Sequence, residues 1–553
     1  MLIAFGACLK FGFAPVDDYH LIVQNLAIRD MSWDGWKQMF TMFDPELYIP
    51  LTFLSFKIEA LIAGMNPLLF HLDNLLLHIA NVLLAAWIIT RLSGSRLAGW
   101  CAALIFAAHP LDAETVTWIS ARKDLLATLF TLLSMVFIMK SIDREDRRFW
   151  ILSVVFFVLA LLSKISVVLL PLFIIAMLLR ERFTFKSASV MLAPYVVASV
   201  ALGIIAVPGK GGVLTSTPPL DRIVLTGYAL SLSIGHFFIP ARLALYYVLP
   251  TINATTIIIA LFPLLLIAAA VLLWKKLPLF SIGIAWFFVF ILPTVLNIQT
   301  DVQSSGLTFA SDRYLYLPMI GLLIALIGII RMIRHLLDDI VARWSTMIAT
   351  AIMLLIFIQL ARAQVATWSD AETLFKHAIA VSPTSVEARV TLAEALKQEN
   401  KLQDAFAVLK DGLAFSDDER LHLEAGTLYA AAGDVGNALQ EFTKAQSMDP
   451  QSSVAYDGLA ALQENAGDTS QAKRLYEKAV QLQPQDITAH LALAQLLLIS
   501  NDASGAQHQL NDVLAIDPSN IDALNGLSDV FSQEGNAQQA AIYQRKASLL
   551  SLP

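Results

Sequence analysis

Long apolar runs separated by short charged stretches fill the first two thirds of this chain. A helix needs roughly 20 residues to cross the hydrocarbon core of a bilayer. A shorter apolar segment before Val16 predicts one such helix. Ten further spans are predicted over 66–91, 97–110, 124–140, 149–163, 165–179, 188–207, 255–274, 278–297, 314–332 and 345–362. The pattern therefore predicts a polytopic, all-α membrane domain of about eleven helices over residues 1–363.

One apolar segment, Leu220 to Pro250, does not fit this alternation. A full crossing there would invert every later loop, and the basic pairs that follow argue against that. We predict that this segment enters the membrane and returns, or lies along it.

After residue 363 the pattern changes to a repeat of about 34 residues. Two antiparallel helices per 34-residue unit are typical of tetratricopeptide repeats. The marks of the period are Pro383, Asp417, Pro450, Pro484 and Pro518. Glycines marking the turn between helices and small residues behind it recur in phase at Gly433, Gly467, Gly535, Ala438, Ala472, Ala506 and Ala540. Residues 364–553 are predicted to form an α-solenoid of about four and a half repeats. Its groove would suit an extended peptide, although a passive spacer remains an alternative.

Charge divides the chain at the same place. Residues 1–363 carry 26 Lys and Arg against 20 Asp and Glu, a net of +6, and residues 364–553 carry 12 against 25, a net of −13. The acidic half lacks the basic face that nucleic acid requires. Only 15% of all residues are charged, against about 25% in soluble proteins.

The basic clusters also predict orientation, because short cytoplasmic loops are enriched in Lys and Arg. Placing these clusters inside puts the loops 17–65, 109–123, 208–221 and 298–313 outside. The repeats then lie on the outer side too. A bacterial inner membrane with a periplasmic repeat domain is expected, with an endoplasmic reticulum membrane as the alternative.

Three outer loops hold the candidate chemistry, since ionisable groups near membrane depth are often functional. The first has Asp17 and Asp18, and repulsion between the two carboxylates would raise the pKa of one of them and make it a base. The alternative is that the two residues form a solvated helix end. The second loop contains His109, Glu114, Arg122 and Lys123. Its arginine could bind a phosphate or form a structural salt bridge with Asp124 or Glu114. The third has Arg313 and Tyr314, and this tyrosine could equally be an interfacial aromatic.

Other chemistry lacks support in the sequence. The two cysteines, Cys8 and Cys101, are too few for a disulfide framework or a zinc site. No nucleotide-binding, serine-hydrolase or zinc-protease motif is present.

Several longer motifs carry a family resemblance. They are DDYHLIVQN at 17–25, YIPLTFLSF at 48–56, NPLLFHLDNLLLH at 66–78, HPLDAETVTWISARKDLLATLF at 109–130, LLSK at 161–164, SDRYLYLP at 311–318 and WSDAETLF at 368–375. With these motifs in this order, the chain resembles the tetratricopeptide-containing transmembrane O-mannosyltransferases and their bacterial relatives, which are class C glycosyltransferases.

The resemblance implies roles for individual residues. Asp17 and Asp18 become the catalytic carboxylates, and Arg313 lies near the donor phosphate. His109, Glu114 and Arg122 fall in the second motif loop. The predicted residues for binding the donor and its phosphate are His109, Glu114, Arg122, Lys123, Arg313 and Tyr314. One departure is Asp112, where relatives often have a second histidine, so a role for position 112 is in doubt.

The implied reaction moves a sugar, a hexose such as mannose, from a polyprenyl-phosphate donor to an acceptor hydroxyl with inversion. A divalent metal is possible but not required. The partners are membrane lipids, the lipid-linked donor and an acceptor protein at the repeat groove. The sugar and the acceptor, a Ser or Thr side chain, a glycan or a lipid, stay open. A non-enzymatic membrane scaffold and an envelope-polysaccharide ligase or transporter are the alternatives. Replacing Asp17 or Asp18 with Asn is predicted to abolish transfer.

Overall fold

A computed structural model describes residues 1–14, 16–42, 47–181, 183–206, 218–295, 311–334 and 338–550. Within these ranges the regular elements are helices and no β-strand occurs, which confirms the all-α prediction. The predicted outer loops 208–221 and 298–313 lie mostly outside the described residues.

The α-helices fall into two series along the chain. The first is α1 Leu2–Phe5, α2 Leu26–Arg29, α3 Trp33–Gln38, α4 Pro50–Ala63, α5 Pro67–Ser93, α6 Arg96–Phe106, α7 Asp112–Thr117, α8 Arg122–Arg144, α9 Arg147–Ser163, α10 Leu170–Arg180, α11 Phe185–Ala206, α12 Pro219–Phe238, α13 Ala254–Leu272, α14 Pro278–Val295, α15 Met319–Arg334, α16 Asp339–Ala366 and α17 Ala371–Val381. The second is α18 Val386–Gln398, α19 Leu402–Leu413, α20 Glu419–Ala431, α21 Val435–Met448, α22 Ser453–Asn465, α23 Thr469–Leu482, α24 Ile487–Ile499, α25 Ala503–Ile516, α26 Ile521–Gln533 and α27 Ala537–Leu550.

The chain divides into two compact units. Unit 1 comprises residues 1–18 and 38–382, and unit 2 comprises residues 19–37 and 383–553. The short segment that follows Asp18 therefore groups with the second series of helices.

Unit 1 is the membrane part. Its long apolar helices, judged by length and composition, are Pro67–Ser93, Ile119–Arg144, Phe185–Ala206, Ala254–Leu272, Pro278–Val295 and Asp339–Ala366. With 27 residues, α5 is about 40 Å long, whereas the 11 residues of α6 reach only about 16 Å. The chain is an integral membrane protein, and the exact number of eleven spans stays a prediction.

The predicted first helix is short in the structure. Four residues of α-helix, Leu2–Phe5, lead into a 3-10 turn over Gly6–Lys10, and the chain is extended at Phe11. Phe5 and Cys8 are fully buried in the membrane core. This arrangement brings the chain directly to Asp17 and Asp18.

The ambiguous segment contains α12, which packs against α13. A side chain at Gly227 of α12 would place its Cβ 2.4 Å from the Ala260 carbonyl oxygen, so this contact needs glycine. Beyond Phe238 the chain has no helix until Ala254. That this segment does not fully cross the membrane stays a prediction.

Close packing between α14 and α15 fixes the approach to the third outer loop. At Gly321, an added Cβ would lie 2.5 Å from the Gly283 carbonyl oxygen. The indole of Trp286 donates to the Leu317 carbonyl at 3.0 Å. The 3-10 turn Asp312–Leu315, which precedes α15, is therefore attached to a closely packed pair of helices.

Unit 2 contains the predicted helix pairs. The first helix of each pair begins 33 or 34 residues after the first helix of the preceding pair, which confirms the tetratricopeptide period. These first helices are α18, α20, α22, α24 and α26. Gly433, Gly467 and Gly535 have positive φ at the turns, and Asn400 and Asn501 take the same conformation in the two turns without glycine. Asparagine is one of the few other residues that tolerates it.

The segment after Asp18 closes the last repeat. Ala27 and Ile28 are fully buried, and α2 contacts α27. The Arg29 guanidinium donates to the Leu550 carbonyl at 2.8 Å and to the Leu549 carbonyl at 3.4 Å. These carbonyls end the final helix and lack helical partners, so a cation is favourable there.

Candidate functional site

The first outer loop is tied to the second through Asp18. One carboxylate oxygen accepts the Ser120 backbone N–H at 2.8 Å and the Ser120 hydroxyl at 2.5 Å, and the other accepts the Ala14 N–H at 2.8 Å. Asp18 is fully buried. Burial raises its pKa to about 6, although the hydrogen bonds from Ser120 and Ala14 act in the opposite direction. Asp18 therefore holds two loops together.

Asp17 has a different environment from its neighbour. Its side chain is partly exposed and makes no hydrogen bond with any residue that the structure describes. Its charge nevertheless acts on both Asp18 and Arg313. A carboxylate with open lone pairs thus lies within electrostatic range of the third loop.

Arg122 is enclosed by protein groups. Its Nε donates to the Asn74 side chain at 2.9 Å, its Nη2 donates to the Phe70 carbonyl at 2.8 Å, and its Nη1 pairs with Glu59. The guanidinium also lies 4.6 Å from the Phe56 ring centre. The ion-pair partner at hydrogen-bonding distance is Glu59, a residue of α4, and neither Asp124 nor Glu114 is among its partners in the described chain.

Glu114 and Arg313 form a buried pair between the second and third loops. One Glu114 oxygen accepts Arg313 Nη1 at 2.9 Å and the Ser311 hydroxyl at 2.9 Å, while the other accepts the Arg313 backbone N–H at 3.3 Å. The guanidinium lies 4.6 Å from the Trp118 ring centre and 5.2 Å from the Tyr314 ring centre. Glu114 therefore fixes both the backbone and the side chain of Arg313.

Part of the Arg313 guanidinium is left without a protein partner. Its Nε is buried and makes no hydrogen bond within the described residues. Burial alone would lower its pKa, but Tyr314, Glu114, Asp124 and Asp17 together raise the Arg313 pKa above its usual range. The arginine is charged and has a free donor.

A small cavity of about 20 Å³ adjoins this arginine. Its polar lining is Asp124, Thr128, Ser166, Thr294, Arg313 and Tyr314. One Asp124 oxygen accepts Lys164 Nζ at 2.6 Å, and the other is buried without a partner among the described residues. Two unpaired polar atoms thus belong to residues lining one cavity.

Lys164 ends the LLSK motif, and no role was predicted for it from the sequence. It is buried at the end of α9, and its Nζ lies 5.3 Å from the Tyr314 ring centre. A lysine at the outer end of a helix breaks the positive-inside pattern, as Arg122 and Arg313 do. That signal could have identified it.

A further polar group was not found from the sequence. His236 at the end of α12 contacts an Asp312 oxygen at 2.9 Å, and the Tyr247 hydroxyl donates to the other Asp312 oxygen at 2.6 Å. The lone histidine in an apolar helix was the available signal. These contacts join the segment after α12 to the third loop.

His109 is held by backbone groups of α12 and of its own loop. His109 Nε2 donates to the Phe237 carbonyl at 3.1 Å, and its Nδ1 accepts the Leu111 N–H at 3.2 Å. Burial lowers the His109 pKa to about 4, so the ring is neutral at physiological pH. Lys123 is buried near the start of α8. Groups of three or more His, Cys, Asp or Glu residues suited to a metal are absent from the described ranges.

Asp112 provides a stability prediction. It is fully buried and neither carboxylate oxygen has a partner in the described structure, so burial raises its pKa well above the usual value. An acid with a raised pKa in the folded state loses stability as pH rises above its unfolded pKa of about 3.9. We expect Asp112→Asn to raise the thermal unfolding temperature more at pH 8 than at pH 5. Unfolding curves of the purified protein at both values check this, and an equal shift at both would contradict it.

Comparison with known proteins identifies both parts of the chain. Residues 50–208 match the family described as dolichyl-phosphate-mannose-protein mannosyltransferase. Residues 367–425, 429–496 and 465–527 match the tetratricopeptide repeat. The predicted resemblance to repeat-containing O-mannosyltransferases is therefore confirmed.

Two curated relatives are similar to parts of this chain. Protein O-mannosyl-transferase TMTC1 of Homo sapiens is 32% identical over 158 residues, covering 26% of this chain and 18% of that protein. Protein O-mannosyl-transferase TMTC2 of Mus musculus is 42% identical over 89 residues, covering 16% of this chain and 11% of that protein. The chain thus matches less than a fifth of the length of these relatives.

A solved structure is also similar to part of this chain. PilF of Pseudomonas aeruginosa is 20% identical, with a TM-score of 0.28, covering 32% of this chain and 82% of that one.

Proposed function

We propose that this chain is an integral-membrane glycosyltransferase. It transfers a hexose, mannose in the reading that the matched family favours, from a polyprenyl-phosphate donor to an acceptor hydroxyl. The acceptor is a Ser or Thr side chain of a protein held by the repeats. The match to the mannosyltransferase family and the polar cluster on three loops both support this proposal.

The free donor of Arg313 is the observation that carries the proposal. A buried guanidinium with an unpaired N–H is costly unless a ligand completes its hydrogen bonds. A phosphate suits it, because guanidinium donors match phosphate oxygens in geometry and charge. The aromatic rings of Trp118 and Tyr314 pack against the guanidinium and restrict its orientation.

Glu114 and Arg122 act as positioning residues in this proposal. Glu114 orients Arg313 through two hydrogen bonds and accepts a third from the Ser311 hydroxyl. Arg122 has its donors occupied by protein groups, so it holds the second loop against α4 and α5 rather than binding phosphate. Lys164 and Lys123 add positive charge near the leaving group, and the Tyr314 ring packs against the Arg313 guanidinium.

The two aspartates take different roles. Asp17 is the general base, because its carboxylate is partly exposed and has free lone pairs. Asp18 positions it, since three hydrogen bonds already occupy the Asp18 carboxylate. His109, neutral and bonded to the Phe237 carbonyl, supports the same face without touching substrate.

The reaction balances with these groups. The acceptor oxygen attacks the anomeric carbon from the side opposite the phosphate, and its proton passes to Asp17. The bond between the anomeric carbon and the phosphate oxygen breaks, which inverts the configuration. The polyprenyl phosphate leaves as an anion stabilised by Arg313, so no general acid is needed.

The outer side of a bacterial inner membrane is the proposed location of both the site and the repeats. The basic clusters at the opposite helix ends support this orientation. A lumenal site in the endoplasmic reticulum is the alternative.

Mass spectrometry of exported proteins, from cells with and without the gene, tests the proposal. We expect hexose to disappear from particular Ser or Thr sites when the gene is absent, and to return with the intact gene but not with Asp17→Asn. Restoration by Asp17→Asn with unchanged stoichiometry would favour the scaffold alternative. Loss of hexose from an envelope glycan, with exported proteins unaffected, would favour the polysaccharide ligase.

A further inference from the structure

Basic residues from separate parts of unit 1 meet at one end of the membrane helices. Arg91 ends α5, Arg180 ends α10, and Lys275 and Lys276 follow α13. The proposed reaction uses none of them. All four line one of two adjacent depressions.

The two depressions differ in character and share a wall. The first has a volume of about 190 Å³ and includes Arg91, Arg180 and Glu181 in its lining. The second is an apolar groove of about 820 Å³ along α13 and α14, ending at Lys275 and Lys276. Trp274 and Ala285 line both, so a cationic pocket continues into an apolar groove.

The charges of this region are not balanced internally. Arg91 pairs with Asp143. Arg180, Lys275 and Lys276 make no ion pair or hydrogen bond with any residue in the described ranges. Glu181 is the acidic residue in the lining of the first depression. The surplus of cations is therefore available to an anion.

This region is separate from the candidate site. Asn74, the Arg122 partner, and Arg91 are both on α5, 17 residues apart, which corresponds to about 25 Å along the helix axis. That distance approaches the roughly 30 Å thickness of a bilayer core. The cationic pocket thus lies near the opposite surface of the membrane.

We propose that this region is a binding site for one anionic glycerophospholipid. Its phosphate contacts Arg180, Lys275 and Lys276, and its acyl chains lie in the groove beside Ile267, Ile284 and Phe288. Trp274 lies at the junction, where an aromatic ring suits the level of lipid headgroups. Basic pockets between membrane helices on the cytoplasmic side are typical of sites for anionic lipid headgroups.

Native mass spectrometry of the purified full chain tests this site. The protein is delipidated in detergent and titrated with phosphatidylglycerol or phosphatidylcholine of identical acyl chains. We expect the unmodified protein to retain the anionic lipid about tenfold more strongly. Lys275→Ala/Lys276→Ala should remove that preference, and Ala285→Phe, which fills the shared wall, should reduce retention of both lipids.

Arg148→Ala/Arg343→Ala is the matched control, because it removes two exposed cations that line neither depression. It should keep the preference for the anionic lipid. Equal retention of both lipids by the unmodified protein would overturn the proposal. So would an unchanged preference in Lys275→Ala/Lys276→Ala, or stronger retention of undecaprenyl phosphate than of phosphatidylglycerol. Size-exclusion profiles show that each variant is folded, and sugar transfer is not needed for any of these readouts.

Discussion

Asp17→Asn is expected to reduce sugar transfer by about 10²–10⁴-fold, the usual contribution of a general base. The amide cannot accept the proton of the attacking hydroxyl. Asparagine has nearly the same size as aspartate and also forms hydrogen bonds, so the structure around this partly exposed position should not change. Membranes that contain the variant, supplied with a polyprenyl-phosphate sugar and an acceptor peptide, give the rate directly.

Two variants make that result specific. Asp34→Asn changes an exposed carboxylate in α3 and should leave the rate unchanged. Asp18→Asn replaces one of the two accepting oxygens with an NH2 group that cannot accept, so at least one of the three hydrogen bonds is lost, and both the rate and the thermal unfolding temperature should fall. Full activity of Asp17→Asn with normal membrane insertion would rule out Asp17 as the base.

Arg313→Gln is expected to reduce transfer by about 10²–10³-fold, the effect of losing one group that stabilises developing negative charge. Arg313→Lys keeps the charge but loses the planar set of donors, so it should recover only part of the rate. The measurement is kcat/KM for the lipid-linked donor, together with inhibition by the product polyprenyl phosphate.

The lysine variant guards against a simple folding defect, because it leaves Glu114 with a charged partner. Arg148→Gln, an exposed arginine outside the site, serves as the control and should behave like the unmodified protein. Equal donor kinetics and equal product inhibition in Arg313→Lys and the unmodified protein would contradict the phosphate role.

Periodicity allowed the repeats to be predicted from the sequence. Each repeat needs a buried small residue and a left-handed turn, and both requirements leave visible residues such as Ala472 and Gly467. At Asn501 the same turn is made without glycine, so the glycine pattern alone would have missed it. The phase of the neighbouring repeats was what identified this unit.

The partners within the candidate site could not be predicted in the same way. Arg122 pairs with Glu59, 63 positions earlier, and no local spacing indicates which helices will be neighbours in a membrane bundle. Arg122 and Arg313 are both arginines on the outer side, and the sequence assigned them the same chemistry. Only the contacts distinguish them, because the donors of one are occupied and the other retains a free N–H.

The contact between Arg29 and the end of the last helix has a consequence for biosynthesis. The two groups are 521 residues apart in sequence, so this contact cannot form until α27 has been made. At roughly 5–20 residues per second, synthesis of that interval takes on the order of half a minute to two minutes. During this time α2 lacks the α27 surface that it meets in the folded protein. Packing of α2 against α27 therefore takes place only after α27 has been synthesised, and a chain that terminates before α27 would lack this contact.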